Sequence, residues 1–526
     1  MTGVVDIFVG LMVAVVVLAL LARRFHIPYP IFFVIGGTVL GFLPGLPSIR
    51  LSPDLVFLAV LPPLLFPAAL FTSWRDFRAN LRPILLLAIG LVLFTTAIVA
   101  ALAHAFLHLP LAAGFVLGAI VSPPDAIAAT AIAERLRVPS RIVTILEGES
   151  LVNDATALVA YRLAIVGVTT GSFSWMQGTS QFFLIGLGGI ATGLAIGWLA
   201  EQFHRRVDDA PIEITFSLLT AFGAYLVAER LHVSGVLSVV AAGLYLGWRA
   251  PEITSYRTRL RGGPVWEMLE FVLNGLVFLL IGLQLPSILA RLDRDQMPPH
   301  LVLGYAILIT AAIIVVRLLW VLPTLYVPRL VFKKHCRNEP RPRWQNMVII
   351  GWTGMRGVVS LAAALALPVA NADGTPFPGR DLILFITFVV IFATLVLQGL
   401  SLPWLIQRLG VKDDGIAEKE EREARLLANQ SALDQLDQLA SPDAPGHEAR
   451  ARLRTEYEDQ ILQLQSEAAR ESGAPLRLFS LEYERLTREA LQVERRTILR
   501  LRNDGAINDE VLRRIQRDID LAEARL

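Results

Sequence analysis

Up to about residue 408 the chain alternates long apolar runs with short basic segments, and beyond that point it turns polar. Thirteen runs read as membrane-crossing helices, at approximately 4–22, 31–43, 54–71, 83–107, 110–132, 142–168, 181–203, 211–229, 233–248, 265–285, 301–326, 346–368 and 381–407. A hydrocarbon core of ~30 Å takes about 20 residues of helix, and shorter runs cross with kinks or reorganised lipid. Helices that are apolar on every face have no stripe to present to water. The expected fold is therefore an all-α polytopic membrane protein of about 13 transmembrane helices over residues 1–408, followed by a helical cytoplasmic tail over 409–526. In that tail Glu418 to Leu439 and His447 to Arg470 read as polar helices. The turn residues Ser441-Pro442-Asp443-Ala444-Pro445-Gly446 make a linker between them. Leu512, Ile515 and Ile519 recur at helical spacing in an amphipathic last segment.

Composition agrees with the pattern: 54% of residues are apolar and 18% charged, against roughly 25% charged in an ordinary soluble domain. Loop charge gives an orientation. Alternate loops, beginning after the first run, carry twenty Lys and Arg residues, whereas the opposite set carries five, namely Arg50, Arg230, Arg291, Arg294 and Arg380. Basic loops favour the cytoplasmic side, so the N-terminus is expected outside and the tail inside, in a multi-pass protein of the cell (inner) membrane. The first run ends in Arg23-Arg24, the reverse of a cleavable signal peptide, and is read as a retained span. Cys336 is the only cysteine, so no intrachain disulfide is possible.

Charge inside a spanning helix is costly and marks function by default. Arg162, Glu201, Glu229, Glu267, Glu270 and Arg317 fall near the ends of predicted runs, where they can reach the interface. Three segments are different. Val121-Ser122-Pro123-Pro124-Asp125 puts a carboxylate ~22 Å into the fifth run, beside two prolines that no unbroken helix accommodates. Backbone freed in this way is tolerated at depth only inside protein or beside water. In the sixth run Glu149, Ser150, Asn153 and Asp154 share one helix face, and such hard oxygen donors suit a Na⁺-like cation. The twelfth run holds Gly351, Gly354 and Gly357 around Arg356, a mid-depth guanidinium that needs a carboxylate partner; Glu149 is the candidate. Two interrupted helices of opposite direction point to an inverted-repeat transporter with its site at mid-membrane. The enzyme signatures fail: Gly148-Glu149-Ser150-Leu151-Val152 lacks the closing glycine of a nucleophile elbow, and no His-Glu-x-x-His zinc motif occurs.

Ser122-Pro123-Pro124-Asp125, Leu146-Glu147-Gly148-Glu149-Ser150-Leu151-Val152-Asn153-Asp154 and Gly354-Met355-Arg356-Gly357 resemble the signature segments of the sodium/proton exchanger family, the first branch of the monovalent cation:proton antiporters. The likeness covers about three-quarters of the chain and is strongest to bacterial members with a cytoplasmic tail. It implies a homodimer, each protomer having a dimerisation subdomain and a core with two crossed, unwound helices. It implies Asp154 as the carboxylate that binds cation and proton in turn, with Asp125, Ser150 and the Pro124 carbonyl completing the shell around the transported cation. Asn153 marks the Asn-Asp type associated with electroneutral exchange, and Glu149 with Arg356 would form a structural ion pair. The expected partners are Na⁺ (or K⁺ or Li⁺), H⁺ and lipid, with no cofactor and no nucleic acid; the alternatives are a K⁺/H⁺ antiporter and a passive cation channel. Pro124 stands where the family usually has Thr, and Pro67 where many relatives carry an acidic residue.

Overall fold

The computed structural model describes residues 2–25, 27–44, 52–170, 175–292, 298–331, 343–370, 375–438, 447–471, 478–504 and 509–523. The loop residues Arg50, Arg294, Lys333, Lys334, Arg337 and Arg341 and the linker 441–446 lie outside them. The chain divides into two compact units, Met1–Asp413 and Asp414–Leu526. Apart from one isolated bridge between Ala370 and Pro376, the described residues form helices and the turns between them.

In the first unit the helices are α1 (Thr2–Phe25), α2 (Tyr29–Gly41), α3 (Leu55–Phe71, opening on a π turn), α4 (Trp74–Ala79), α5 (Leu81–Leu107), α6 (Leu111–Val121), α7 (Ile127–Arg135) and α8 (Ser140–Thr170). They continue as α9 (Trp175–His204), α10 (Ala210–Arg230), α11 (Gly235–Ile253), α12 (Tyr256–Leu292), α13 (Pro299–Val331), α14 (Trp344–Trp352), α15 (Val358–Leu365) and α16 (Arg380–Leu409). Each of the thirteen predicted runs contains helix. Among the described residues eight helices are long and apolar enough to cross a membrane, and Tyr29–Gly41, Leu55–Phe71 and Leu111–Val121 are shorter apolar helices.

Two of the predicted runs are broken where the sequence places its breakers. Between α6 and α7, Pro123 and Pro124 supply no N–H to a helical ladder, so regular helix stops at Val121 and resumes at Ile127. Between α14 and α15 the break spans Thr353 to Gly357. The two breaks meet, and the Asp125 N–H donates to the Met355 carbonyl at 2.6 Å. α6 reaches this depth by lying close on α5: a Cβ at Gly118 would stand 2.4 Å from the Thr96 carbonyl oxygen. Only a residue without a side chain permits that approach.

The second unit holds α17 (Ile416–Gln438), α18 (His447–Glu471), α19 (Leu478–Asn503) and α20 (Asp509–Glu523). Arg454 joins α18 to Asp437 of α17 at 2.6 Å. Arg495 of α19 reaches Asp520 and Glu523 of α20 at 2.7 and 2.6 Å. Leu512 and Ile519, two of the three residues noted for their spacing, are buried with Ile498 in a small apolar cluster, and Ile515 packs against it.

Candidate cation site

The crossing of the two breaks fixes the polar groups around it. Regular helix ends at Val121, leaving the Val121 and Ser122 carbonyls without helical donors, and they accept from Arg356 Nε at 3.0 Å and Nη2 at 3.4 Å. Arg356 Nη1 also donates to the Gly354 carbonyl. Its positive charge thus stands at the C-terminal ends of α6 and α14, where helix dipoles are negative. Asp125 occupies the complementary place. Its Oδ1 accepts from the Ile127 N–H at 2.9 Å, at the start of α7, and its carboxylate lies against Gly357, which precedes the first turn of α15. Both contacts put a carboxylate at helix N-termini, the favourable end. Half-helix dipoles and side-chain charges are therefore matched in pairs across the crossing.

The fit at Gly357 leaves no room. A Cβ there would fall 1.8 Å from Asp125 Oδ2, and neither strand can retreat, because Asp125 is bonded to Met355 and the Arg356 N–H donates to Thr394 Oγ1 at 3.1 Å. Gly357→Ala is expected to cost about 1–3 kcal/mol by overpacking and to displace the Asp125 carboxylate. Thermal unfolding of the purified variant checks the first effect and cation-driven transport the second. Wild-type values for both would show that the crossing relaxes freely.

α8 passes the crossing as one unbroken helix of 31 residues. Asp154, 9% exposed, forms no hydrogen bond or ion pair among the described residues. With Asp125 and Ser150 it lines a cavity of about 420 Å³. Ser150 Oγ is 3.4 Å from the Ala126 N–H, which ties α8 to the first break. The other two predicted site residues, Asn153 and Pro124, bond each other away from the cavity: the Asn153 amide donates to the Pro124 carbonyl at 2.6 Å, and both residues are buried. In this conformation Asn153 holds the break in place, and the carbonyl in its grip keeps one lone pair for other donors or a cation.

The predicted partner of Glu149 is corrected. Glu149 pairs with Arg317, Nη1 to Oε1 at 2.5 Å and Nη2 to Oε2 at 2.8 Å, and Arg317 Nε donates to the Ile350 carbonyl at 3.2 Å. Both side chains are buried. The reason is geometric: unwound backbone offers Arg356 carbonyl acceptors at close range, whereas Arg317 presents its planar fork squarely to the carboxylate. The sequence places Arg317 near the end of its run. Its helix runs on to Val331, so the residue lies mid-helix, and an arginine central in an otherwise apolar run was the signal for it. Glu270, which the sequence also places at the interface, lines the cavity together with Pro67, Glu134 and Glu147. Glu201 is buried, and Arg205, Arg249 and Tyr245 all donate to it.

The sequence model for the family described as "Sodium/hydrogen exchanger, transmembrane" matches residues 11–408. An uncharacterized Na(+)/H(+) exchanger of Mycobacterium tuberculosis is 34% identical over 99% of this chain and 96% of its own length. The Na(+)/H(+) antiporter ApNhaP of Aphanothece halophytica is 34% identical over 92% of this chain and 90% of its own. A sodium, potassium, lithium and rubidium/H(+) antiporter of Bacillus subtilis is 36% identical over 76% of this chain and 62% of its own. Among solved structures, the sodium proton antiporter MjNhaP1 of Methanocaldococcus jannaschii covers 77% of this chain and 99% of its own at 20% identity and a TM-score of 0.57, a likeness of fold.

Proposed function

Since this chain belongs to the sodium/hydrogen exchanger family, we propose that it exchanges a monovalent cation for protons across a cell membrane by alternating access, with cation and proton competing for Asp154. The observation that carries the reading is the unpaired Asp154 carboxylate beside Asp125 and Ser150 on the wall of one cavity. Carboxylate, hydroxyl and backbone carbonyl oxygens are natural ligands for Na⁺, K⁺ or Li⁺. Asp125 and Ser150 supply further oxygens to the cation, and Asn153 keeps the Pro124 carbonyl within the same turn of unwound chain.

The cavity is one-sided. From α8 it takes Glu147, Ser150, Leu151 and Asp154 and nothing further along the helix, and it includes Glu134 near the end of α7. That is the end bearing Arg135, Arg137 and Arg141, assigned to the cytoplasm by loop charge. The site therefore faces inward in this conformation. Beyond Asp154 on the opposite side, Arg162 of α8 donates to both carboxylate oxygens of Glu229 of α10 at 2.8 Å. Opening outward separates that pair. Thirteen crossings, an outside N-terminus, a cytoplasmic tail and a homodimer complete the reading, and an Asn153-Asp154 site makes the exchange electroneutral.

Purified protein in proteoliposomes with an internal pH dye and an acid interior tests it. Adding Na⁺, K⁺ or Li⁺ outside is expected to give saturable alkalinisation that persists when the membrane potential is clamped, and the responding cation identifies the substrate. Response to K⁺ alone would establish K⁺/H⁺ exchange. Cation flux without proton movement would replace the antiporter reading with that of a channel.

A further inference from the structure

A second cavity, of about 660 Å³, lies away from the cation site between α5 and α8 on one side and α9 and α11 on the other. Its walls are almost wholly apolar. From Phe182 to Leu194 it follows α9 for ~18 Å, and from Leu237 to Trp248 it follows α11 for ~16 Å, close to half of a ~30 Å hydrocarbon core. The groove is therefore one leaflet deep. Several of its apolar side chains are open to the surroundings, with Phe183 58%, Leu187 63% and Leu194 45% exposed.

Its two ends differ. The far end is aliphatic and phenyl, from Phe182, Phe183 and Leu237, whereas the end beside α4 carries Trp74, Trp248 and Arg78. Indoles settle at the headgroup level of a bilayer. Arg78 is exposed and has no ion-pair or hydrogen-bond partner among the described residues, unlike its neighbour Arg75, which pairs with Asp76. A guanidinium held at the headgroup end of a leaflet-deep apolar slot is complementary to a phosphate attached to acyl chains.

We propose that this groove binds one phospholipid with an anionic headgroup, its phosphate on Arg78 and its acyl chains along α9 and α11. The bound lipid also touches the helix that carries the cation site. Val152, Ala155, Thr156 and Val159 of α8 line the groove, and at 3.6 residues per turn Asp154 projects roughly 150° from the centre of that stripe. α8 is thus clamped between cation on one face and lipid on the other, so the occupant of the groove bears on any movement of the site.

The binding test needs no transport assay, so its failure is separable from failure of the antiporter reading. Wild type, Arg78→Gln and Ala241→Phe, the last filling the groove from α11, are purified and offered phosphatidylglycerol or phosphatidylcholine. Retained lipid is then counted by native mass spectrometry and stability measured by thermal unfolding. Wild type is expected to retain phosphatidylglycerol preferentially and to melt higher with it. Arg78→Gln is expected to lose roughly fivefold of that preference, and Ala241→Phe to retain neither lipid. Inorganic phosphate added with phosphatidylcholine should leave melting unchanged; a rise would mean that a free anion suffices and would overturn the proposal. Equal phosphatidylglycerol retention by wild type and Arg78→Gln would do the same, and that comparison stands even if Ala241→Phe fails to fold. Dissociation of an oligomer in Ala241→Phe with lipid retention unchanged would assign the groove to a second copy of the chain instead.

Discussion

Asp154→Asn is expected to reduce cation-driven proton movement to the background of protein-free vesicles while leaving the protein folded. The substitution keeps the size and planarity of the side chain, and no hydrogen bond or ion pair is lost with the charge, because Asp154 makes none among the described residues. What disappears is the carboxylate that stands beside Asp125 and Ser150 on the cavity wall with no hydrogen bond or ion pair among the described residues. Asp125 is not an equivalent replacement: one of its oxygens already accepts from the Ile127 N–H at 2.9 Å and the other lies against Gly357. In the wild type, competition at a single carboxylate sets the sign of the pH dependence. Acidifying the side that loads the cation should raise the cation concentration needed for half-maximal rate, because the proton and the cation exclude each other. Dye-monitored exchange over a range of external pH measures both effects. Exchange retained in Asp154→Asn, or a cation affinity indifferent to pH, would move the site elsewhere.

Arg317→Ala is the substitution with the largest expected cost in stability, about 3–5 kcal/mol, because it strands a buried carboxylate. Glu149 is about as inaccessible as its partner, so water cannot replace the lost guanidinium, and the Ile350 carbonyl loses a donor as well. Arg356 cannot swing across to compensate, since Val121, Ser122 and Gly354 hold its guanidinium. The double variant Glu149→Leu/Arg317→Met should recover most of the loss, as buried pairs exchanged for apolar residues of similar volume commonly do. Thermal unfolding of the two variants beside wild type decides the matter. If Arg317→Ala melts like wild type, the pair does not hold the fold.

How much of this was legible in the sequence depended on whether the signal was local. Pro123-Pro124 and the glycines at 354 and 357 announce their breaks through a missing N–H and a missing Cβ, chemistry that needs no knowledge of neighbours. The shared face of Ser150 and Asp154 follows from helix periodicity alone. The partner of Glu149 does not. Arg317 and Arg356 both reach mid-depth, and which of them meets the carboxylate depends on how two unwound segments cross and which carbonyls the crossing exposes. Asn153 shows the same limit: periodicity put it on the same face as Asp154, but the Pro124 carbonyl draws its amide aside. Glu147 and Glu270 were visible as residues, yet their meeting in one cavity is a property of tertiary packing.

The separation in sequence of these contacts also has a meaning for synthesis. Glu149 and Arg317 are 168 residues apart, and Arg356 lies 235 residues after the Val121 carbonyl that it bonds. At roughly 5–20 residues per second, the ribosome makes Glu149 some 8–34 s before its counter-charge. During that interval the first half of the unit holds an acid with no base and a broken helix with no clasp. Neither is stable in hydrocarbon. The early helices are thus obliged to wait, with α8 hydrated or held by the insertion machinery, until α13 and the α14–α15 pair arrive. Assembly of the site is thus a late event of biogenesis, possible only once α13, α14, α15 and α16 have been made.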